Sequence, residues 1–184
     1  MAMLKWKIWA IVVILSVLLC LGASGTAHSG GTMIDLGTLP GGTYSYATAI
    51  NDKGQVVGYS SPDINRAPAD THAFLYSDGK MIDLGTLGGR PSDSSEAYGI
   101  NNSSQIIGYS ITADYQHHAF LYSSGKMTDL GALEESSYSE ATAINDKGQV
   151  VGYSNTRVAY QGHAFLYTPA SHSLPAILSL LLGD

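Results

Sequence analysis

His72-Ala73-Phe74-Leu75-Tyr76 returns as His118-Ala119-Phe120-Leu121-Tyr122 and again as His163-Ala164-Phe165-Leu166-Tyr167. The offsets, from 72 to 118 to 163, are 46 and 45 residues. A fixed period of ~20–50 residues marks an array of small supersecondary units that bury a core only by stacking. Two further strings travel with the first. Met33-Ile34-Asp35-Leu36-Gly37 recurs from Met81 and, as Met-Thr-Asp-Leu-Gly, from Met127. Gln55-Val56-Val57-Gly58-Tyr59-Ser60 recurs from Gln105 and from Gln149.

Each module reads as four short strands. Apolar residues come in runs of four to six between turn residues, without helical spacing. The runs are rich in Val, Ile, Tyr and Phe, which suit a pleated, half-buried surface. The first strand is expected at Ala47–Ile50, Ala97–Ile100 and Ala141–Ile144. Asn51-Asp52-Lys53-Gly54 and Asn145-Asp146-Lys147-Gly148 are turns, because Asn closes a turn through its side chain and Gly accepts positive φ. Ser104 replaces that Gly in the second module, at some cost in strain. The second strand is Val-Val-Gly-Tyr, the third His-Ala-Phe-Leu-Tyr and the fourth Met-Ile-Asp-Leu-Gly. Ser77-Asp78-Gly79-Lys80 and Ser123-Ser124-Gly125-Lys126 are hairpin signals between the last two. Leu75, Leu121 and Leu166 are expected at equivalent buried sites, with Phe74, Phe120 and Phe165 on the opposite face.

The fold class is therefore all-β: antiparallel four-stranded modules, propeller-like with three blades, the ring open or incomplete. A β-trefoil-like threefold fold is the alternative. The chain begins its repeats with a lone fourth strand, Met33–Gly37, and ends them with a third, His163–Tyr167. Pairing these two would hide two sheet edges.

The N-terminus has a different composition. Lys5 and Lys7 precede an apolar run from Ile8 to Leu21, followed by small residues to Ala27. That is the layout of a secretory signal over residues 1–27, with cleavage between Ala23 and Ala27. The alternative is an anchor formed by residues 8–21, although this run falls short of the ~20 residues of a spanning helix. Cys20, the one cysteine, leaves with the signal, so the repeat domain, 28–168, must hold itself together without disulfides. Residues 169–184 form a tail with an apolar stretch, Leu174–Leu182. Beyond the signal, seven basic residues face fifteen acidic ones, a net charge of −8. No basic stripe exists, so nucleic acid is not an expected partner. A membrane is expected only through an uncleaved N-terminal segment. An acidic surface favours solubility.

Distinctive residues recur with the module, which argues for structural roles. His72, His118 and His163 stand apart, one per module, where a metal would need three or four converging ligands. Asp35, Asp83 and Asp129 recur likewise, and a His–Asp or Asp–backbone brace within each module fits both sets. Asn51, Asn101 and Asn145 are the turn residues. No nucleophile elbow, phosphate loop or calcium-loop spacing appears, so neither an enzyme nor a cofactor is expected. Glu134 and Glu135 are the only adjacent glutamates and fall in a loop. Twelve tyrosines are the one enrichment with binding potential. Tyr59, Tyr109 and Tyr153, and Tyr76, Tyr122 and Tyr167, repeat and are expected to pack. Tyr44, Tyr46, Tyr115, Tyr138 and Tyr160 do not repeat, are read as loop residues, and are the candidate contact surface for a protein or carbohydrate. Self-association is a further expectation. The functional alternatives are an extracellular hydrolase or carbohydrate-active protein, and a degenerate fragment of a longer repeat protein.

The strings HAFLY, DLGTLGG and AIN-x-x-GQVVGYS resemble those of the HAF repeat family of bacterial exported repeat proteins, over roughly Met33 to Tyr167. The resemblance implies an extracellular or periplasmic location and a propeller-like fold. It implies no reaction or ligand. The third module departs from the pattern at Gly131-Ala132-Leu133-Glu134-Glu135, which lacks the Gly-Gly pair, and the first carries Pro40 in the same loop.

Overall fold

The computed structural model describes residues 27–28, 30–61, 70–90, 92–158 and 161–170. The expected apolar helix at Ile8–Leu21, Tyr160 and the tail beyond residue 170 lie outside them. The chain divides into two units, Met1–Gly37 and Thr38–Asp184. In the first, β1 (Ala27–His28) and β2 (Gly31–Thr32) form a two-stranded antiparallel sheet.

The second unit holds three antiparallel sheets. The first is β3 (Tyr44–Ile50), β4 (Val56–Ser61), β5 (His72–Ser77) and β6 (Lys80–Asp83), each strand paired to the next. The second is β7 (Ser95–Ile100), β8 (Ile106–Ile111), β9 (His117–Ser123) and β10 (Lys126–Gly131). The third is β11 (Ser139–Ile144), β12 (Val150–Asn155) and β13 (Gly162–Tyr167). One 3-10 turn, Leu133–Glu135, is the only helical element among the described residues. Each repeat is thus one meander. The β5–β6 and β9–β10 hairpins turn through Asp78-Gly79 and Ser124-Gly125, all four at positive φ, as a two-residue turn that follows strand twist requires.

The meanders stack in sequence, and alternation along each strand supplies both sides of every junction. Val57, Ala73 and Leu75 of the first sheet pack with Ile106, Phe120 and Tyr122 of the second. Ile107, Ala119 and Leu121 of the second pack with Val150, Phe165 and Tyr167 of the third. Serines join neighbours: Ser95 Oγ accepts the Ala73 N–H at 2.9 Å and donates to the Gly85 carbonyl at 2.6 Å. Ser139 repeats this with Ala119 at 2.8 Å and Gly131 at 2.5 Å.

Four expectations are corrected. Met33–Gly37, expected as a fourth strand, forms no strand. The first strand of each module starts two or three residues earlier than composition suggests, because the polar residues there also pair. Each of these strands carries a register shift, between Ala47 and Ala49, Ala97 and Gly99, and Ala141 and Ala143. The three leucines are not equivalent: Leu75 and Leu121 are half-buried, whereas Leu166 is exposed because no module stacks on it. Phe74 and Phe120 are buried, while Phe165, beside the edge without a fourth strand, is half-buried.

Candidate binding surface

The first two sheets have two unlike ends. At one end are the Asn turns and the β5–β6 and β9–β10 hairpins. Asn51 Oδ1 accepts the N–H groups of Lys53 at 3.1 Å and Gln55 at 3.0 Å, and its amide donates to Gln55 Oε1 at 2.8 Å and to the Asn101 carbonyl at 3.0 Å. Asn101 repeats the pattern, reaching Gln105 Oε1 at 2.7 Å and the Asn145 carbonyl at 3.0 Å. Asn145 holds its own turn and donates to Gln149 Oε1 at 2.9 Å. The Asp52 N–H donates to Asn102 Oδ1 at 3.0 Å, and the Asn102 N–H to Asp146 Oδ1 at 2.9 Å. These asparagines place a shallow depression of about 320 Å³ over the three turns, with Ile50, Ile100 and Ile144 beneath it. Ser104 stands at φ 60, where Gly54 and Gly148 stand at 73 and 75, and its hydroxyl donates to Gln55 Oε1 at 2.7 Å.

At the other end the long loops leave and the modules differ. Tyr44 and Tyr46 lie on β3, not in a loop, and both rings contact Tyr59 with centroids 6.2 and 5.7 Å apart. Tyr98, Tyr109, His117, Tyr138 and Tyr153 continue as a second row. His117 is sandwiched between Tyr109 at 3.8 Å and Tyr138 at 4.2 Å, nearly parallel to both. Tyr138 forms an isolated parallel bridge with His117. Tyr115 lies in the β8–β9 loop with its ring under the Arg90 guanidinium at 3.7 Å. Arg90 also pairs with buried Asp93 at 3.0 Å and donates to the Thr112 and Ala113 carbonyls, tying two loops together. Arg157 does similar service for Glu134 and Glu135, which places that carboxylate pair in a loop brace.

The row contains two carboxylates that neither repeat nor local pattern singled out. Glu96 and Glu140 occupy the position held by Tyr46 in the first module. Tyr98 donates to Glu96 at 2.9 Å and Tyr138 to Glu140 at 3.0 Å. Burial raises the Glu96 carboxyl above the usual range, against the lowering effect of hydrogen bonds from Tyr98 and Tyr109, and the Glu140 charge adds to the rise. Burial pushes Tyr59 and Tyr138 up to about 12, helped at Tyr59 by its hydrogen bond with Tyr44 and at Tyr138 by the Glu140 charge. Tyr98 and Tyr109 are raised further, by burial and then by Glu96. Burial lowers His117. These shifts favour the neutral phenols of Tyr59, Tyr98, Tyr109 and Tyr138 and the neutral imidazole of His117 beside the two carboxyls, a surface suited to stacking and hydrogen bonding. Tyr46, Tyr115 and Tyr153 are the tyrosines of this end that are most open to solvent.

The recurrent histidines and aspartates meet within two of the modules. His72 Nδ1 lies 2.9 Å from Asp83 and His118 Nδ1 2.9 Å from Asp129. Each carboxylate also accepts an N–H two residues on, Gly85 or Gly131, at 2.7 Å. Asp35 accepts the Gly37 N–H at 2.9 Å. His163 is exposed and has no carboxylate partner among the described residues. The first pair borders a pocket of about 320 Å³ walled by Leu39–Gly42, Ser60, Ser61 and Asp70. Among the described residues no group of three or more His, Cys, Asp or Glu side chains is placed to hold a metal, and no helix is long and apolar enough to cross a membrane.

Comparison with models of known protein families, with curated proteins and with solved structures finds no match.

Proposed function

We propose that this chain is an exported, non-enzymatic β-repeat protein of the HAF repeat type, presenting a binding surface for a carbohydrate or a protein at its tyrosine-rich end. One observation carries the reading: Tyr46, Glu96, Glu140, Tyr44, Tyr138 and Tyr115, which vary between modules, gather at that end, while the other end keeps the Asn and Gln of every turn and the Gly-Lys of both hairpins. Variation displayed on a constant scaffold is how repeat folds build binding faces. Neutral aromatic faces with hydroxyls suit sugar rings and protein partners alike. The apolar run at residues 8–21 supports export, and the acidic balance disfavours nucleic acid.

The finer architecture proposed is an incomplete three-bladed propeller. Each meander is a separate sheet, and the sheets join face to face through apolar clusters. A β-trefoil-like arrangement, the alternative, would share strands of one barrel between modules.

A glycan array and a pull-down with the full chain test the function. Retention of a glycan class or a protein is expected. Hydrolysis of a retained glycan would replace the reading with that of a hydrolase. Retention of nothing by the folded protein would leave the reading of a degenerate fragment in its place.

A further inference from the structure

We infer that a second copy of this chain docks head to tail on the third module, supplying the strand and the sheet face that this module lacks. Among the described residues the third module is unfinished in two ways. Its outer face repeats the surface that the first two modules bury against their successors: Val57 and Ile107 are fully buried, whereas Val151 is exposed, and Ala73 and Ala119 are buried, whereas Ala164 is exposed. Leu166, on the same face, is 63% exposed. Beside this face β13 has one strand neighbour among the described residues, and a groove of about 190 Å³ runs along Leu130, Leu133, Phe165, Leu166 and Tyr167.

The first module is open in part on the complementary face, although Phe74 there is buried. Ala97 and Ala141 are buried against the preceding module, but Ala47 is exposed, and Ile50 is 67% exposed where Ile100 is 9%. Two series of junction hydrogen bonds run forward, beside reverse ones from the Asn102 amide to Asp52 and from the Ser104 hydroxyl to Gln55, both at 2.7 Å. Asn51 and Asn101 donate forward to the carbonyl of the next Asn. Asp52 and Asn102 donate their N–H forward to the next side-chain oxygen. Among the described residues Asn145 and Asp146 are the donors of that series without a successor, and the Asn51 carbonyl and Asp52 Oδ1 are its acceptors without a predecessor, Asp52 Oδ2 already accepting from Asn102.

Met33–Gly37 supplies the missing strand. It has the sequence of a fourth strand, forms none here, and Met33 is 82% exposed. In the sequence it precedes the first module by residues 38–43, as the fourth strands of the first two modules precede their successors. A copy whose Met33–Gly37 adds to β13 is therefore led to set its first module on the open face. The register is that of Phe74 opposite Asp83 and Leu75 opposite Ile82. It places Asp35 opposite Phe165, Ile34 opposite Leu166, and Asp35 within reach of His163, which has no carboxylate partner among the described residues. A head-to-tail contact closes into a ring when its rotation permits. Two copies give six four-stranded modules, within the ~4–8 of closed propellers.

The test uses the full chain in a Cys20→Ser background. With Ile34→Cys and Leu166→Cys together, mild oxidation is expected to give a covalent dimer, and native mass spectrometry twice the chain mass. Mixing the two single-cysteine chains is expected to give only the cross-linked heterodimer. Separately, Leu166→Asp or Ile50→Asp, each at an exposed site the fold tolerates, should weaken association at least tenfold alone, and an equal mixture should recover pairing through its one unaltered junction. A monomeric mass overturns the proposal, whichever segment then covers Leu166. So does a cross-link formed within one chain, which means closure on its own strand. Association that survives both aspartate variants also overturns it, since another segment would then drive it.

Discussion

Gly99 on β7 stands opposite Ile107 on β8, where the other two modules set Ala49 opposite Val57 and Ala143 opposite Val151. A Cβ at position 99 would lie 3.1 Å from Ile107 Cδ1 and 3.3 Å from its Cγ1. One methyl lost on one strand is matched by one methylene gained on its neighbour, in a core where Ile107 is fully buried. The modules therefore conserve volume at this site, which close-packed interiors demand.

Gly99→Ala is expected to cost about 1 kcal/mol by crowding Ile107, and Ile107→Val about 0.5–1.5 kcal/mol by leaving a void. The double variant restores the pair of the other modules and should be more stable than the sum of the singles predicts. Denaturant unfolding of the four proteins checks this; additive effects would show that the two side chains do not share the space.

Asn101 is buried and makes four side-chain hydrogen bonds, two as acceptor within its turn and two as donor, one of them to the next module. Asn101→Asp keeps the acceptors and loses both donors, placing a charge against two oxygens. Leaving buried polar groups without partners costs about 1–3 kcal/mol each, so in dissociated chains the loss should exceed that of Asn145→Asp, whose amide reaches only Gln149 of its own turn. Thermal unfolding compares the two, and equal losses would contradict a role at the junction.

The pair His72 and Asp83 sets a pH window. The Asp83 hydrogen bond raises His72 above its ordinary 6.5, overcoming the opposing effect of burial. Burial alone would raise Asp83, but the bonds from His72 and the Gly85 N–H, with the His72 charge, leave it below the usual 3.8. The His72 contribution is complete below its ordinary pKa and fades as pH rises through the raised one. The Asp83 contribution is present above the ordinary carboxylate value and fades as pH falls through the depressed one. The brace is thus complete between the ordinary values of 3.8 and 6.5 and is lost beyond the two shifted ones. It contributes about 0.2–1 kcal/mol, because both groups are partly exposed. In Asp83→Asn, NMR titration should find His72 returned toward 6.5; an unmoved value would deny the pairing its effect.

Strand order and hairpins were legible because their signals are local. Gly79 and Gly125 at positive φ and the Asn turns each act within four residues, and repetition multiplied the signal. Exposure of the terminal modules was not legible, since Leu75, Leu121 and Leu166 share one string and differ only in the neighbour that each meets in space. The polar starts of the first strands hid Tyr44 and Tyr46 among apparent loop residues. Glu96, Glu140 and His117 are separated in sequence and meet only when β7, β9 and β11 come side by side, so no pattern along the chain could mark them. The strand bulges likewise leave no mark in composition.

The most direct test of the account is the map of binding on the two ends of the sheets. Once a retained glycan or protein is in hand, its affinity is measured for Tyr46→Ala and Tyr115→Ala at the tyrosine end, and for Lys80→Ala and Lys126→Ala at the hairpin end. All four sites are at or near the surface, so folding is not at stake. The account predicts a loss of about tenfold or more, roughly 1.4 kcal/mol, for at least one tyrosine variant and none for the lysine variants. Unchanged affinity in both tyrosine variants, or loss at the lysines alone, would contradict it.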